Sequence, residues 1–314
     1  MNTENNELNI QHDKRNKDVP MVECAARDSR GLLYRKVKNY LFEAVIFILS
    51  VSLIVPLFLI IFMVVQRGFS VINWEFIFSE RRLMGAVKGG ILKDIVGTLI
   101  LIGLTLLIAV PTGIATALFI VEKKNEKGVM GRLARVVQWS IDILQGVPSI
   151  VVGLVISIWF VRSNILGASA LAGAIALSFM MLPVVIKSTE ETVGMIPEIY
   201  KEASVALGVP HYKTVLFVVL PASISGITTG VLLGVARIAG ETAPLLFTAF
   251  GNNFMNTNIF KPINSLPQLI YGYSMDASTN SHATAWGASF VLIVLILLIN
   301  IISKVVVRKW KIKF

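Results

Sequence analysis

KSTEETVGMIPEIYKEASVALGVPHYKTVLFVVLP, residues 187–221, is a polar island between two long apolar runs. It carries too many charges to cross a bilayer, yet Glu198, Tyr200, Glu202, Ala203, Ala206 and Leu207 suit a short helix. Gly208 supplies a stop, and Pro210 disfavours the α region for the residue before it. The spacing predicts two short helices that meet at a glycine and lie on one face of a membrane. Such a surface suits the docking of a soluble partner.

Working outward, six apolar segments are each long enough to span about 30 Å of hydrocarbon as a helix. They cover residues 41–65, 95–121, 139–161, 168–186, 215–239 and 284–307. Two shorter apolar stretches, 244–250 and 266–273, are expected to cap the outer side or re-enter it. The composition agrees: 55% of residues are hydrophobic, 15% are charged and the mean hydropathy is +0.73. A soluble domain carries about a quarter charged residues. The expectation is an all-α polytopic membrane protein with six transmembrane helices.

Basic residues set its orientation. With the N-terminus inside, twenty-one lysines and arginines fall on the inner side and seven on the outer, while Arg237 lies within a span. Both termini are then cytosolic, and the 187–221 island is cytosolic too. Residues 1–38 read as a polar, basic tail without the apolar core of a cleavable leader, leaving 39–314 as the transmembrane domain. Trp74, Phe76, Phe78, Trp139 and Trp310 sit near span ends, where amphipathic rings favour the interface. The net charge of +10 follows this topology, which argues against nucleic-acid binding and for contact with membrane lipid. The single cysteine, Cys24, excludes an intramolecular disulfide, and His12, His211 and His282 have no metal-ligand spacing.

The fifth span ends in ASISGITTGVLLGVARIAGETAPLLFTAF, residues 222–250. Gly226, Gly230 and Gly234 recur every four residues, a small-residue stripe that lets helix backbones approach closely in lipid. Arg237 and Glu241 fall near that stripe and stand four apart, the spacing of a helical ion pair. Arg237 lies sixteen residues past Pro221, about 24 Å toward the outer side at 1.5 Å per residue. Pro244 should bend or end the helix just beyond Glu241. A cation here costs from roughly 3 to above 10 kcal/mol, so it marks either an anion path or an ion pair that fixes helix packing. The residue types leave both readings open.

Glu202-Ala203-Ser204, Gly208, then Val218 and Leu220-Pro221 resemble the EAA loop of ABC importer permeases. Serine stands for the second alanine of that motif, and valine for isoleucine. The resemblance implies a type I importer (MetI-like) fold, with Glu202, Ala203, Ser204 and Gly208 coupling to an ATPase. No G-x-x-x-x-G-K-[ST] occurs, so the ATPase, with its ATP-Mg, must be a separate chain and no cofactor is expected here. The stretch ARIAGETAPLLFTAFGNNF, then Pro262, Ser265-Leu266-Pro267 and Ile270-Tyr271, resembles the PstA-type permeases of phosphate importers. Trp74-Glu75-Phe76, Gly89-Gly90-Ile91, Gly97-Thr98-Leu99 and Leu182-Pro183-Val184-Val185 resemble the same family, whereas SERRLMGAVK fits no pattern of it.

That family implies a permease subunit in a bacterial inner membrane, not an enzyme. It also implies a PstC-type permease partner, a PstB-type ATPase dimer and an external phosphate-binding protein. Arg237 and Glu241 match the family's charged pair. Lys187 stands where a cation, usually arginine, follows L-P-V-V; a headgroup or loop contact explains it equally well. The alternatives are a permease for another oxyanion, such as molybdate or sulfate, or the PstC-type subunit. The sequence contains no HExxH, no nucleophile elbow, no paired intramembrane carboxylates and no repeated filter segment, which argues against an enzyme or a channel.

Overall fold

The computed structural model of the chain describes residues 21–79, 90–252 and 254–310, with side chains between 34 and 306. Most of the polar tail, nearly all of SERRLMGAVK and the Trp310 ring lie outside the described residues. Every described element is helical. The chain divides at residue 62 into two units.

The first unit is the bulk of α1, Met21–Phe69, whose side chains from 34 to 62 are all exposed. The second unit begins at Met63. There the end of α1 packs in earnest: Val64 is buried, Gly68 lies against Trp286 and Phe290, and the Arg67 guanidinium sits 5.3 Å from the Trp286 ring. A short helix follows (α2, Trp74–Phe78), then the long α3, Leu92–Lys123.

The third apolar segment does not cross as one rod. It forms α4, Val129–Gly146, and α5, Ser149–Ile156, which continues in π-helical form over Ser157–Arg162. The two parts are bent by 111°. The expected span over 139–161 straddles this break, and Trp139 sits exposed on α4 instead of opening a membrane helix. The cause is local. Pro148 lacks an N–H and holds Val147 in extended conformation (φ −74°, ψ 127°), so the helix cannot run through. Among the described residues, five helices are long and apolar enough to cross a membrane, and the bent pair makes a sixth if counted as one span.

The centre of the second unit is α6, Ala170–Gly194. Ala170, Ala172, Ala174, Ala176, Leu177 and Met181 are almost fully buried, because small side chains admit neighbouring backbones on several sides. α3 packs along it, with Gly113 against Val185. On another side lies α9, Leu220–Ile238, the straight continuation of α8, His211–Thr214, through a π-helical stretch over Val215–Val219. The predicted glycine stripe makes this contact: a Cβ on Gly226 would stand 2.2 Å from Thr192, one on Gly230 2.2 Å from Ser188, and one on Gly234 2.9 Å from Met181. α9 stops at Ile238, before Glu241, so the helix ends one turn sooner than Pro244 alone predicts.

The two short apolar stretches form α10, Ala243–Thr248, and α11, Leu266–Ser274, and the last span is α12, Thr279–Trp310. The connection between α10 and α11 closes the outer end with hydrogen bonds. It presents the carbonyls of Thr248, Lys261 and Ile259 to the amides of Ser169, Ala170 and Leu171, the donors a helix start leaves unmet. The buried Asp94 carboxylate accepts from Asn264, and Thr98 Oγ1 accepts from the Leu266 amide at 2.9 Å. Gly97 leaves no room for a Cβ, which would lie 1.9 Å from the Asn264 carbonyl. The Gly97-Thr98 pair read from the sequence is therefore a packing and capping device.

Candidate functional site

The island 187–221 folds as its composition requires. α7, Glu198–Ala206, ends in a Schellman turn: the Gly208 amide donates to Val205 O at 2.9 Å, and the Val209 amide to Ser204 O at 3.2 Å. Gly208 takes φ +77°, a left-handed conformation that costs other residues about 1 kcal/mol or more. Pro210 then starts α8, which is the first turn of the helix that runs on through α9. One short helix and the start of a span therefore meet at the glycine, where two short helices were expected.

The four residues expected to couple to an ATPase, Glu202, Ala203, Ser204 and Gly208, do not all face the same way. Glu202, Ala203 and Gly208 are exposed, but Ser204 is buried, with its Oγ 2.9 Å from Thr214 Oγ1. The serine that departs from the E-A-A pattern thus ties α7 to α8. Around it the loop presents Met195, Ile199, Val205, Leu207 and Tyr212 to the outside, and Leu207 is 84% exposed. An apolar patch on an otherwise polar loop marks a partner surface.

The loop is fastened to α3 by a residue that sequence reasoning missed. Glu122 Oε1 accepts from Lys201 Nζ of α7 at 3.2 Å, and Glu122 Oε2 lies 2.7 Å from His211 Nε2 of α8. His211 does belong to a cluster, though not to a metal site: among the described residues no group of three metal-ligating side chains occurs. Sequence spacing carries no signal for this pairing, because Glu122 and His211 are 89 positions apart. Beside it Glu190 accepts from Lys124 at 2.9 Å and from Gln138 at 3.1 Å. Lys187 is engaged as well, 2.6 Å from Asp142 of α4.

At the other end of α9, Arg237 Nε and Glu241 Oε1 are 4.0 Å apart, the loose limit of an ion pair. The Arg237 side chain is 42% exposed. It lies where the glycine stripe meets the uncovered face of α9, which carries Ser225, Thr229, Leu233 and Ala236. The face is mixed: Leu233 is a large exposed apolar group, while the small and polar residues around the cation suit a water-lined cavity or a second protein.

A bundle of membrane helices around a small-residue core, with an exposed helix–glycine–helix loop between two spans, is the architecture of a membrane-embedded subunit of a transporter. Residues 109–312 match the family model for the binding-protein-dependent transport system inner membrane component. Three relatives are phosphate transport system permease proteins. PstA 1 of Mycobacterium tuberculosis (strain CDC 1551 / Oshkosh) is 35% identical over 87% of this chain and 90% of its own length. PstA of Haemophilus influenzae is 34% identical over 86% and 94%, and PstA of Xylella fastidiosa (strain 9a5c) is 37% identical over 72% and 77%. The chain belongs to the PstA family of phosphate transport system permease proteins.

The fold has a solved counterpart in an inward-facing form of the MetNI methionine ABC transporter. It matches with a TM-score of 0.54 at 19% identity, over 70% of this chain and 94% of that one. A second crystal form of that transporter gives 0.50. The expected MetI-like, multi-pass inner-membrane architecture holds, and the chain is a non-catalytic subunit of a multi-subunit ABC transporter.

Proposed function

We propose that this chain forms one half of the translocation path of an ATP-driven inorganic phosphate importer. The other half is a PstC-type permease, the motor is a dimer of PstB-type ATPases, and an external binding protein delivers phosphate. The observation that carries this reading is the exposed loop built from α7, Gly208 and α8, in a chain whose relatives are phosphate transport permeases. Glu202, Ala203 and Leu207 meet the ATPase, while Ser204 and Gly208 give the loop its shape.

Arg237 supplies positive potential along the path, and Glu241 neutralises it when no anion is present. A permease of this kind must not bind phosphate tightly, since a deep well would trap it; selectivity belongs to the external protein. The 4.0 Å separation suits that role, because a bidentate pair at hydrogen-bond distance would hold the cation against exchange. Lys187, answered at 2.6 Å by Asp142, serves the packing of α4 on α6.

The test is ATP-dependent uptake of labelled phosphate in vesicles containing this chain with its genomic neighbours, beside the Arg237→Gln variant. Sulfate and molybdate serve as competitors. Phosphate-selective uptake, lost in an assembled variant, supports substrate and path together. Preference for another oxyanion overturns the phosphate assignment and leaves the importer architecture standing.

A further inference from the structure

Glu122 lies in the last turn of α3, with 20% of its side chain exposed, and its two oxygens reach two different helices. Oε1 takes Lys201, in the middle of α7, and Oε2 meets His211, the first residue of α8. α7 joins α6 through only Met195, Ile196 and Pro197, and a Cβ on the preceding Gly194 would meet nothing within 4 Å. That connection is short, with the Met195 and Ile196 amides bonded back to Glu191 O and Val193 O, both at 3.2 Å. The bonds inside the loop, Ser204 to Thr214 and the Schellman turn, fix its shape, and α8 runs on into α9. Glu122 adds a tie from both arms to a different membrane helix, α3.

α3 carries a second attachment at its far end. Asp94, Gly97 and Thr98 grip the outer connection at Asn264 and Leu266. One helix thus connects the outer closure to the cytosolic loop, and a helix packed along its length moves as a unit.

We propose that Glu122 is a positioning residue for energy coupling: it clasps α7 and α8 to α3, so that displacement of the loop by the ATPase is passed to α3 as well as to α9, into which α8 continues. The proposal rests on reading the loop as the ATPase contact. Without the clasp the loop keeps its fold and its apolar surface, so the motor still docks and still turns over. What is lost is transmission.

The experiment uses the whole transporter in proteoliposomes, with phosphate uptake and ATP hydrolysis measured together for the parent, Glu122→Gln and the double variant Lys201→Gln/His211→Gln. The expected result is a complex that assembles and hydrolyses ATP while carrying roughly five-fold less phosphate per ATP, the scale of one lost charge-assisted contact. The swapped pair Glu122→Lys/Lys201→Glu should recover much of the ratio, which makes the contact and not either side chain the requirement. A merely structural role would instead lower assembly and leave phosphate carried per ATP at the parent value. The double variant leaves Glu122 in place and decides the matter should Glu122→Gln fail to assemble. Either assembled variant carrying phosphate at the parent ratio overturns the clasp. A parent complex that fails to co-purify with an ATPase overturns the underlying reading instead.

Discussion

Arg237 is the residue on which the proposed translocation path turns. Its side chain stands at the edge of an uncovered face of α9, loosely paired at 4.0 Å, so its charge is available to whatever occupies that face. Arg237→Gln should lower phosphate uptake by about ten-fold or more without changing assembly, because it removes the cation of the proposed anion path. Arg237→Lys should fall between, retaining the charge but losing the fork that matches phosphate oxygens. Initial uptake rates at fixed complex concentration measure both, and equal rates in all three proteins would reduce Arg237 to a packing residue. The contrast is Lys187. With Asp142 at 2.6 Å its charge is already answered, so Lys187→Gln should leave uptake within about two-fold of the parent, in keeping with the small worth of part-exposed pairs.

At the scale of elements, the contact between α6 and α9 is a demanding one. The glycine stripe brings the two helices so close that a methyl group on Gly230 would stand 2.2 Å from the Ser188 side chain, at a position where neither helix has free space. Gly230→Val should therefore cost about 1–3 kcal/mol by overpacking and lower the unfolding temperature in detergent, whereas Gly103→Val, at a glycine whose Cβ meets nothing, should not. This element was legible from the sequence because the four-residue period has one meaning on a helix in lipid. The coupling loop was legible for the same kind of reason, with Gly208 and Pro210 acting through the local backbone. The bend at Val147–Pro148 was missed because apolar content alone defined that span, and a proline inside a membrane helix often does not break it: Pro111 and Pro183 lie within unbroken helices. The Glu122 clasp was out of reach for a different reason. Its partners are 79 and 89 residues away, and only the packing of α3 beside the loop brings them together.

At the scale of the whole molecule, the exposed surfaces indicate that this chain works within an assembly. The loop leaves Met195, Ile199 and Leu207 uncovered outside the candidate membrane spans, an arrangement costly in water unless a partner covers it. Leu207 is the most exposed of them and sits at the tip, next to the Gly208 turn. Burying a leucine in a partner cleft contributes about 1.5–3 kcal/mol, enough to dominate a small contact. Leu207→Glu keeps a helix-compatible side chain but places a charge in that cleft. The chain should then still insert and fold, while the ATPase no longer co-purifies and uptake falls to background. Gly208→Ala tests the same surface through geometry, since its φ of +77° is strained for alanine although its surroundings are open. It should weaken ATPase retention by less than Leu207→Glu, because the strain of about 1–2 kcal/mol can be shared with the flanking loop. Full ATPase retention in Leu207→Glu would move the docking surface off α7 and onto the exposed side of α8, where Tyr212 leads.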